Sequence, residues 1–74
     1  MKYGESKGIA FKRLAIRRTN VVLDKLRLLG NLSSRSNYEY SSEEIDKIFK
    51  AVHEQLNHTK QRFYRKERKK FELQ

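Results

Sequence analysis

Residues 40–56 read YSSEEIDKIFKAVHEQL and carry the clearest helix signal in the chain. Ser41 and Glu44 have the spacing of a capping box, in which each side chain accepts a hydrogen bond from the backbone N–H of the other residue. Tyr40 and Ile45 stand on either side of this box, at the positions of a hydrophobic staple. Carboxylates in the first turn also complement the positive end of the helix dipole. We therefore expect a helix to begin directly after Ser41.

The apolar residues of this second helix keep a period of about 3.6 as far as Phe63. They are Ile45, Ile48, Phe49, Val52, Leu56 and Phe63, with Thr59 occupying one turn of the stripe. No glycine or proline follows Gly30. We therefore expect the helix to run over about residues 42–70, on the order of 40 Å at about 1.5 Å per residue. Residues 71–74 are expected to fray.

A first helix is predicted upstream, over about residues 9–29, from two rows of apolar side chains. The main row falls within a narrow arc and consists of Phe11, Ala15, Val22, Leu26 and Leu29. The second row lies about 100° around the helix and consists of Leu14, Val21 and Leu28. So wide an apolar surface either wraps entirely onto the other helix of the chain or leaves the second row for a partner.

The ends of the first helix are predicted from glycine. Gly30 follows the last apolar residue, where a left-handed C-cap commonly uses glycine because it has no Cβ. Residues 1–8 are polar and include two glycines, so we expect a flexible N-terminal arm.

The connection at residues 30–40 is rich in Ser and Asn, which favour turns over helix. It is longer than most loops between helices. We expect Leu32, Tyr38 and Tyr40 to anchor this loop to the helices; the alternative is a recognition loop that uses its polar side chains.

These elements predict an all-α fold, an antiparallel two-helix hairpin with a long loop between the helices. Two helices bury little apolar surface on their own. We therefore expect the core to be completed by a homodimer, or by docking on a partner, through Leu14, Val21 and Leu28.

Composition narrows the class of protein. The chain has 74 residues, a formal net charge of +9 and no cysteine, which excludes disulfide scaffolds and cysteine-based zinc sites. No run of about 18 apolar residues marks a membrane span, and no apolar signal core is present. We expect a cytoplasmic protein that does not insert in membranes.

Positive charge is concentrated at both ends of the chain. Residues 59–74 hold seven basic and two acidic side chains, with Phe63 and Tyr64 interleaved. On the first helix, three arginines project within about 80° of arc, opposite the main apolar row. The candidate nucleic-acid contacts are Arg13, Arg17, Arg27, Lys60, Arg62, Tyr64, Arg65, Lys66, Arg68, Lys69 and Lys70. Complementing a helix dipole requires only one or two cations, so it does not explain this excess.

Phosphates attract such cations, and aromatic rings stack on exposed bases. We therefore predict a non-catalytic protein that binds DNA or RNA with low sequence specificity. The alternative is an interaction module, an accessory subunit or inhibitor, that docks its basic surface on an acidic protein or within a nucleoprotein complex. A membrane surface is less favoured, because the apolar stripe of the second helix is expected in the protein core.

Catalysis has little support in the sequence. His53 and His58 are five residues apart, about 140° around a helix, so both cannot face one metal ion. The serines of the loop have no histidine nearby in sequence, and no phosphate-binding glycine loop occurs. We predict no catalytic residue, no metal site and no cofactor.

Overall fold

The computed structural model describes residues 4–65. Within that range the chain forms two α-helices, α1 (Lys7–Gly30) and α2 (Ser42–Tyr64), with one short 3₁₀ turn, Asn31–Ser33, and no strand. The predicted all-α class is confirmed. The chain divides into two compact units, Met1–Glu39 and Tyr40–Gln74, each holding one helix. Each unit is described by itself below.

The start of α1 lies two residues before the predicted one, because Ser6 caps the helix. Its backbone is extended, and its side-chain oxygen accepts a hydrogen bond from the N–H of Ile9 at 3.1 Å. A side-chain oxygen at this position satisfies one of the orphan N–H groups of the first turn. The predicted arm at residues 1–8 thus contains the cap and the first two residues of α1. Gly4 has a φ of +80°, the left-handed region that glycine adopts without strain.

The left-handed cap predicted at Gly30 is wrong. Gly30 is right-handed, with φ −62° and ψ −26°, and is the last residue of α1. Asn31, also right-handed, donates its backbone N–H toward the carbonyls of Arg27 and Leu28. The final carbonyls are therefore satisfied by a 3₁₀ continuation, as is common at helix ends.

The segment between the helices turns at residues 34–38. The backbone N–H groups of Asn37 and Tyr38 donate to the carbonyl of Ser34 at 3.2 Å and 2.9 Å. The side chains of Leu32 and Tyr38 are exposed and Tyr40 is half-buried. The hydrogen-bonded turn gives this segment its local order, and the anchoring of the loop on the helices by Leu32, Tyr38 and Tyr40 stays a prediction.

The start of α2 confirms the predicted capping box. The Ser41 hydroxyl oxygen accepts from the N–H of Glu44 at 3.1 Å, and the Glu44 carboxylate accepts from the N–H of Ser41 at 2.8 Å. Tyr40 and Ile45, the predicted staple, are both half-buried. The helix extends to Tyr64; the predicted continuation to residue 70 and the frayed end at 71–74 lie outside the described residues.

Little apolar surface is buried in residues 4–65. Ala10, which is 6% exposed, is the one buried residue in that range. The apolar stripe of α2 is largely exposed, with Phe49 at 52%, Leu56 at 59% and Phe63 at 62%. Neither α1 nor α2 is long and apolar enough to cross a lipid bilayer.

Candidate nucleic-acid interface

Arg13 lies on the predicted basic face of α1 but is held by an acidic partner. Its Nε and Nη2 groups donate to the two carboxylate oxygens of Glu5 at 2.9 Å and 3.1 Å. Glu5 is well covered, with 12% of its side chain exposed. These hydrogen bonds, with the attraction of the carboxylate, raise the pKa of the Arg13 guanidinium above its ordinary value. A bidentate pair of this kind has fixed geometry, so Arg13 is less available to a phosphate than its charge suggests.

The other two arginines of this face differ from each other. Arg27 donates from Nη2 to the Asp24 carboxylate, one helical turn before it, and both side chains are well exposed. An exposed pair at this spacing is weak, so Arg27 can exchange Asp24 for a stronger anion. Arg17 is exposed and forms no ion pair within residues 4–65. Of the three predicted contacts on α1, Arg17 is the one without an ion pair in residues 4–65.

A second row of cations on α1 escaped the sequence prediction. Lys7, Arg18 and Lys25 are separated by eleven and seven residues, which together make five helical turns. They fall within about 20° of one line along the helix, and all three are exposed. The row lies between the two apolar rows, where long basic side chains can cover apolar surface with their stems. This row could have been found from the sequence by projecting every Lys and Arg onto a helical wheel, because 18 residues make five full turns.

The basic residues at the end of α2 divide between two faces. Arg62 and Arg65 are three residues apart and lie about 60° from each other around the helix axis. Lys60 and Tyr64 are four residues apart and share the other side of the apolar stripe. Tyr64 is exposed, so its ring is accessible for stacking next to a cation. The structure thus brings these four predicted contacts together in two pairs.

The remaining candidates on the C-terminal segment are Lys66, Arg68, Lys69 and Lys70, which lie outside the described residues. Their contribution to the interface is therefore argued from sequence alone.

The predicted partner interface on α1 is partly exposed. Val21 and Leu28 are exposed and Leu14 is half-buried. A third apolar row, Ile9, Ile16 and Leu23, was missed by the sequence prediction although it repeats every seven residues. All three of its side chains are exposed. The apolar surface of α1 is thus wider than its sequence was taken to indicate.

The segment after α1 contains a shallow depression lined by residues 35–39. The hydroxyl groups of Ser34 and Ser36 lie 3.0 Å apart beside it. Within residues 4–65, no three His, Asp or Glu side chains lie close enough together to bind a metal ion.

Comparison of the chain with protein-family models, with curated proteins and with solved structures finds no match.

Proposed function

We propose that this protein is a small, non-catalytic nucleic-acid-binding protein that contacts DNA or RNA chiefly through phosphates. The observation that carries the proposal is the density of cations on residues 59–74, seven basic against two acidic side chains. Neutralising phosphates releases condensed counterions, which favours binding without regard to base sequence. Low sequence specificity follows from that mode of contact.

Three features of the described surface support this proposal. The α2 cations lie on both sides of the apolar stripe. A nucleic-acid strand that crosses the end of α2 therefore meets either the Arg62–Arg65 pair or the Lys60–Tyr64 pair. Arg17 adds an accessible cation on α1. Tyr64 offers a ring on which a base can stack, a contact worth about 1–3 kcal/mol per base.

For binding, we propose that α1 and α2 form an antiparallel hairpin. We also propose that the protein is cytoplasmic. In a hairpin, the N-terminal half of α1 runs beside the C-terminal half of α2. Arg17 then contributes to the same positive surface as the end of α2. A surface of that kind attracts polyanions from a distance, and the attraction fades as salt rises. Dimerisation through Leu14, Val21 and Leu28 doubles that surface.

A second candidate function is a protein-interaction module that docks on an acidic partner. The observation that favours it is the exposed apolar surface of α1, which includes the row of Ile9, Ile16 and Leu23. Exposed apolar patches of this kind mark interaction sites between proteins. The two candidates use the same cations, so binding must be measured directly.

The first test removes tail cations without truncating the chain. A quadruple variant carries Lys66→Gln, Arg68→Gln, Lys69→Gln and Lys70→Gln. The matched control carries Lys2→Gln, Lys12→Gln, Lys47→Gln and Lys50→Gln, an equal loss of charge. Fluorescence anisotropy with a labelled single strand and a labelled duplex is measured across a salt series for both variants and the wild type.

We expect the slope of log K against log salt to flatten by roughly 3 units in the tail variant, at about 0.7–0.9 per phosphate contact. The control should keep most of the wild-type slope. Equal slopes in all three proteins would overturn the assignment of this tail to nucleic acid. Recovery of a protein partner from nuclease-treated extract by wild type alone would then favour the interaction module.

A further inference from the structure

The apolar stripe of α2 has the alternating spacing of a coiled-coil seam. Its members follow one another at intervals of four and three residues: Ile45, Phe49, Val52, Leu56, Thr59 and Phe63. This is a heptad pattern with Phe49, Leu56 and Phe63 at position a and the other three at position d. Residues at these positions are largely exposed in the described chain, so the seam requires a partner helix.

Charge along one flank of the seam indicates which helix that partner is. The e positions are Asp46, His53 and Lys60, so this flank is acidic at its start and basic at its end. In an antiparallel pair, e positions face e positions of the other helix. Two copies of α2 then place Asp46 beside Lys60 of the second copy, and the two-fold axis repeats the pair. In a parallel pair, Lys60 meets Gln55 of the second copy, and within residues 42–64 no opposite charges meet across the seam.

We propose that α2 pairs with α2 of a second copy of this chain, antiparallel, about a two-fold axis near residue 54. The Asp46–Lys60 contact described above sets the register, and the core layers follow from it. Val52 packs with Leu56 of the second copy, and Ile45 with Phe63. Phe49 packs with Thr59 of the second copy, where the small threonine side chain leaves room for the phenyl ring. The Thr59 hydroxyl has a partner within its own helix, the Gln55 amide at 3.1 Å.

The ends of the two helices also complement each other in this arrangement. Glu43 and Glu44 occupy the first turn of α2, and Arg62 lies in its last turn. Antiparallel pairing brings the acidic first turn of each copy to the basic last turn of the other. Like charges at both ends oppose a parallel pair, and such repulsion specifies orientation in helix pairs.

The seam alone is short for an isolated pair, at roughly two and a half heptads. The second row of α1 contributes the additional surface, because Leu14 and Leu28 lie symmetrically about Val21. That row can therefore pair antiparallel with itself, as the α2 seam does. Lys60, which this pairing places beside Asp46 of the second copy, is also a proposed nucleic-acid contact, so the tests below measure pairing in the absence of nucleic acid.

Disulfide mapping tests the register directly, because the chain contains no cysteine. Asp46→Cys and Lys60→Cys are prepared as separate proteins, mixed, and equilibrated in a glutathione redox buffer. We expect the mixed disulfide between them and no homodisulfide of either. In the proposed pair, two copies of residue 46 are on the order of 20 Å apart at about 1.5 Å per residue, beyond the reach of a disulfide. Glu54→Cys, on the opposite face of α2, is the matched control and should form no disulfide with either.

Sedimentation equilibrium of the full chain provides the second measurement. We expect a dimer for the wild type, a monomer for Val52→Asp, and a dimer for His58→Asp, which lies on the polar face. Circular dichroism at the same concentrations shows whether each variant remains helical. A monomeric wild type would overturn the proposal, and so would homodisulfides of the Asp46→Cys and Lys60→Cys proteins. Neither result bears on affinity for nucleic acid, which the salt series measures separately.

Discussion

Ser41 and Glu44 satisfy each other's backbone N–H groups at the first turn of α2. The Glu44 carboxylate also accepts from the Ser41 hydroxyl at 3.2 Å. Losing the hydroxyl leaves the N–H of Glu44 without its acceptor, so Ser41→Ala should lower the free energy of unfolding by about 0.5–2 kcal/mol. Thermal melts followed by circular dichroism measure the change. Ser42→Ala, one residue later, is the matched control. Equal melting of Ser41→Ala and wild type would show that the box contributes nothing to stability.

The same residue scale shows what local spacing can and cannot predict. The α2 box was readable because both partners are polar and three residues apart. Ser6 lacked that signature, since Ile9 stands where a glutamate would complete a box, yet one serine oxygen suffices to cap α1. The pairing of Glu5 with Arg13 spans eight residues and crosses the helix start. The sequence analysis placed Glu5 in a flexible arm and therefore did not predict this ion pair.

At the scale of the elements, the end of α1 gives a prediction that separates two kinds of helix terminus. Gly30 is right-handed, and a Cβ added to it meets nothing within 4 Å. Alanine there loses less backbone entropy on folding than glycine. Gly30→Ala should therefore raise the free energy of unfolding by about 0.4–1 kcal/mol, measured by thermal melts. At Gly4, with φ +80°, alanine should not stabilise. A lower free energy of unfolding in Gly30→Ala would contradict this prediction and would indicate that Gly30 is a left-handed C-cap.

The helical period also explains how far the site could be predicted. It placed the apolar stripe of α2 and the arc of arginines on α1 correctly, because helix geometry fixes both. The helical period did not show which arginines are paired with a nearby carboxylate. Asp24 reduces the field at Arg27, and Glu5 occupies Arg13. Consequently the face expected to hold three free arginines has Arg17 as its one member without an ion pair in residues 4–65.

At the scale of the whole molecule, exposed apolar rows on both helices make assembly the decisive question. A single sequence shows which faces are apolar, but the identity of the surface that covers them depends on a second chain. The sequence therefore predicted that the second row of α1 needs a partner without specifying its orientation. In the proposed α2 pair the orientation follows from charge, because an acidic start and a basic end match only when two copies run in opposite directions.

The proposed dimer couples folding to assembly, so we expect the melting temperature to depend on protein concentration. Because only the folded state dimerises, a tenfold dilution should lower the Tm of the wild type by about 3–6 °C.

Replacing Leu14 and Leu28 together by serine takes away the pairing row of α1 and should remove most of this dependence of the Tm on concentration. The matched control, Ile9→Ser with Leu23→Ser, has the same spacing on the third row. It should lower the Tm but keep the dependence on concentration. Scanning calorimetry or circular dichroism over a hundredfold range of concentration makes the measurement. A wild-type Tm that does not change over that range would show that the chain folds as a monomer, and the α1 row and the α2 seam would then have to be assigned to packing within one chain or to a different protein.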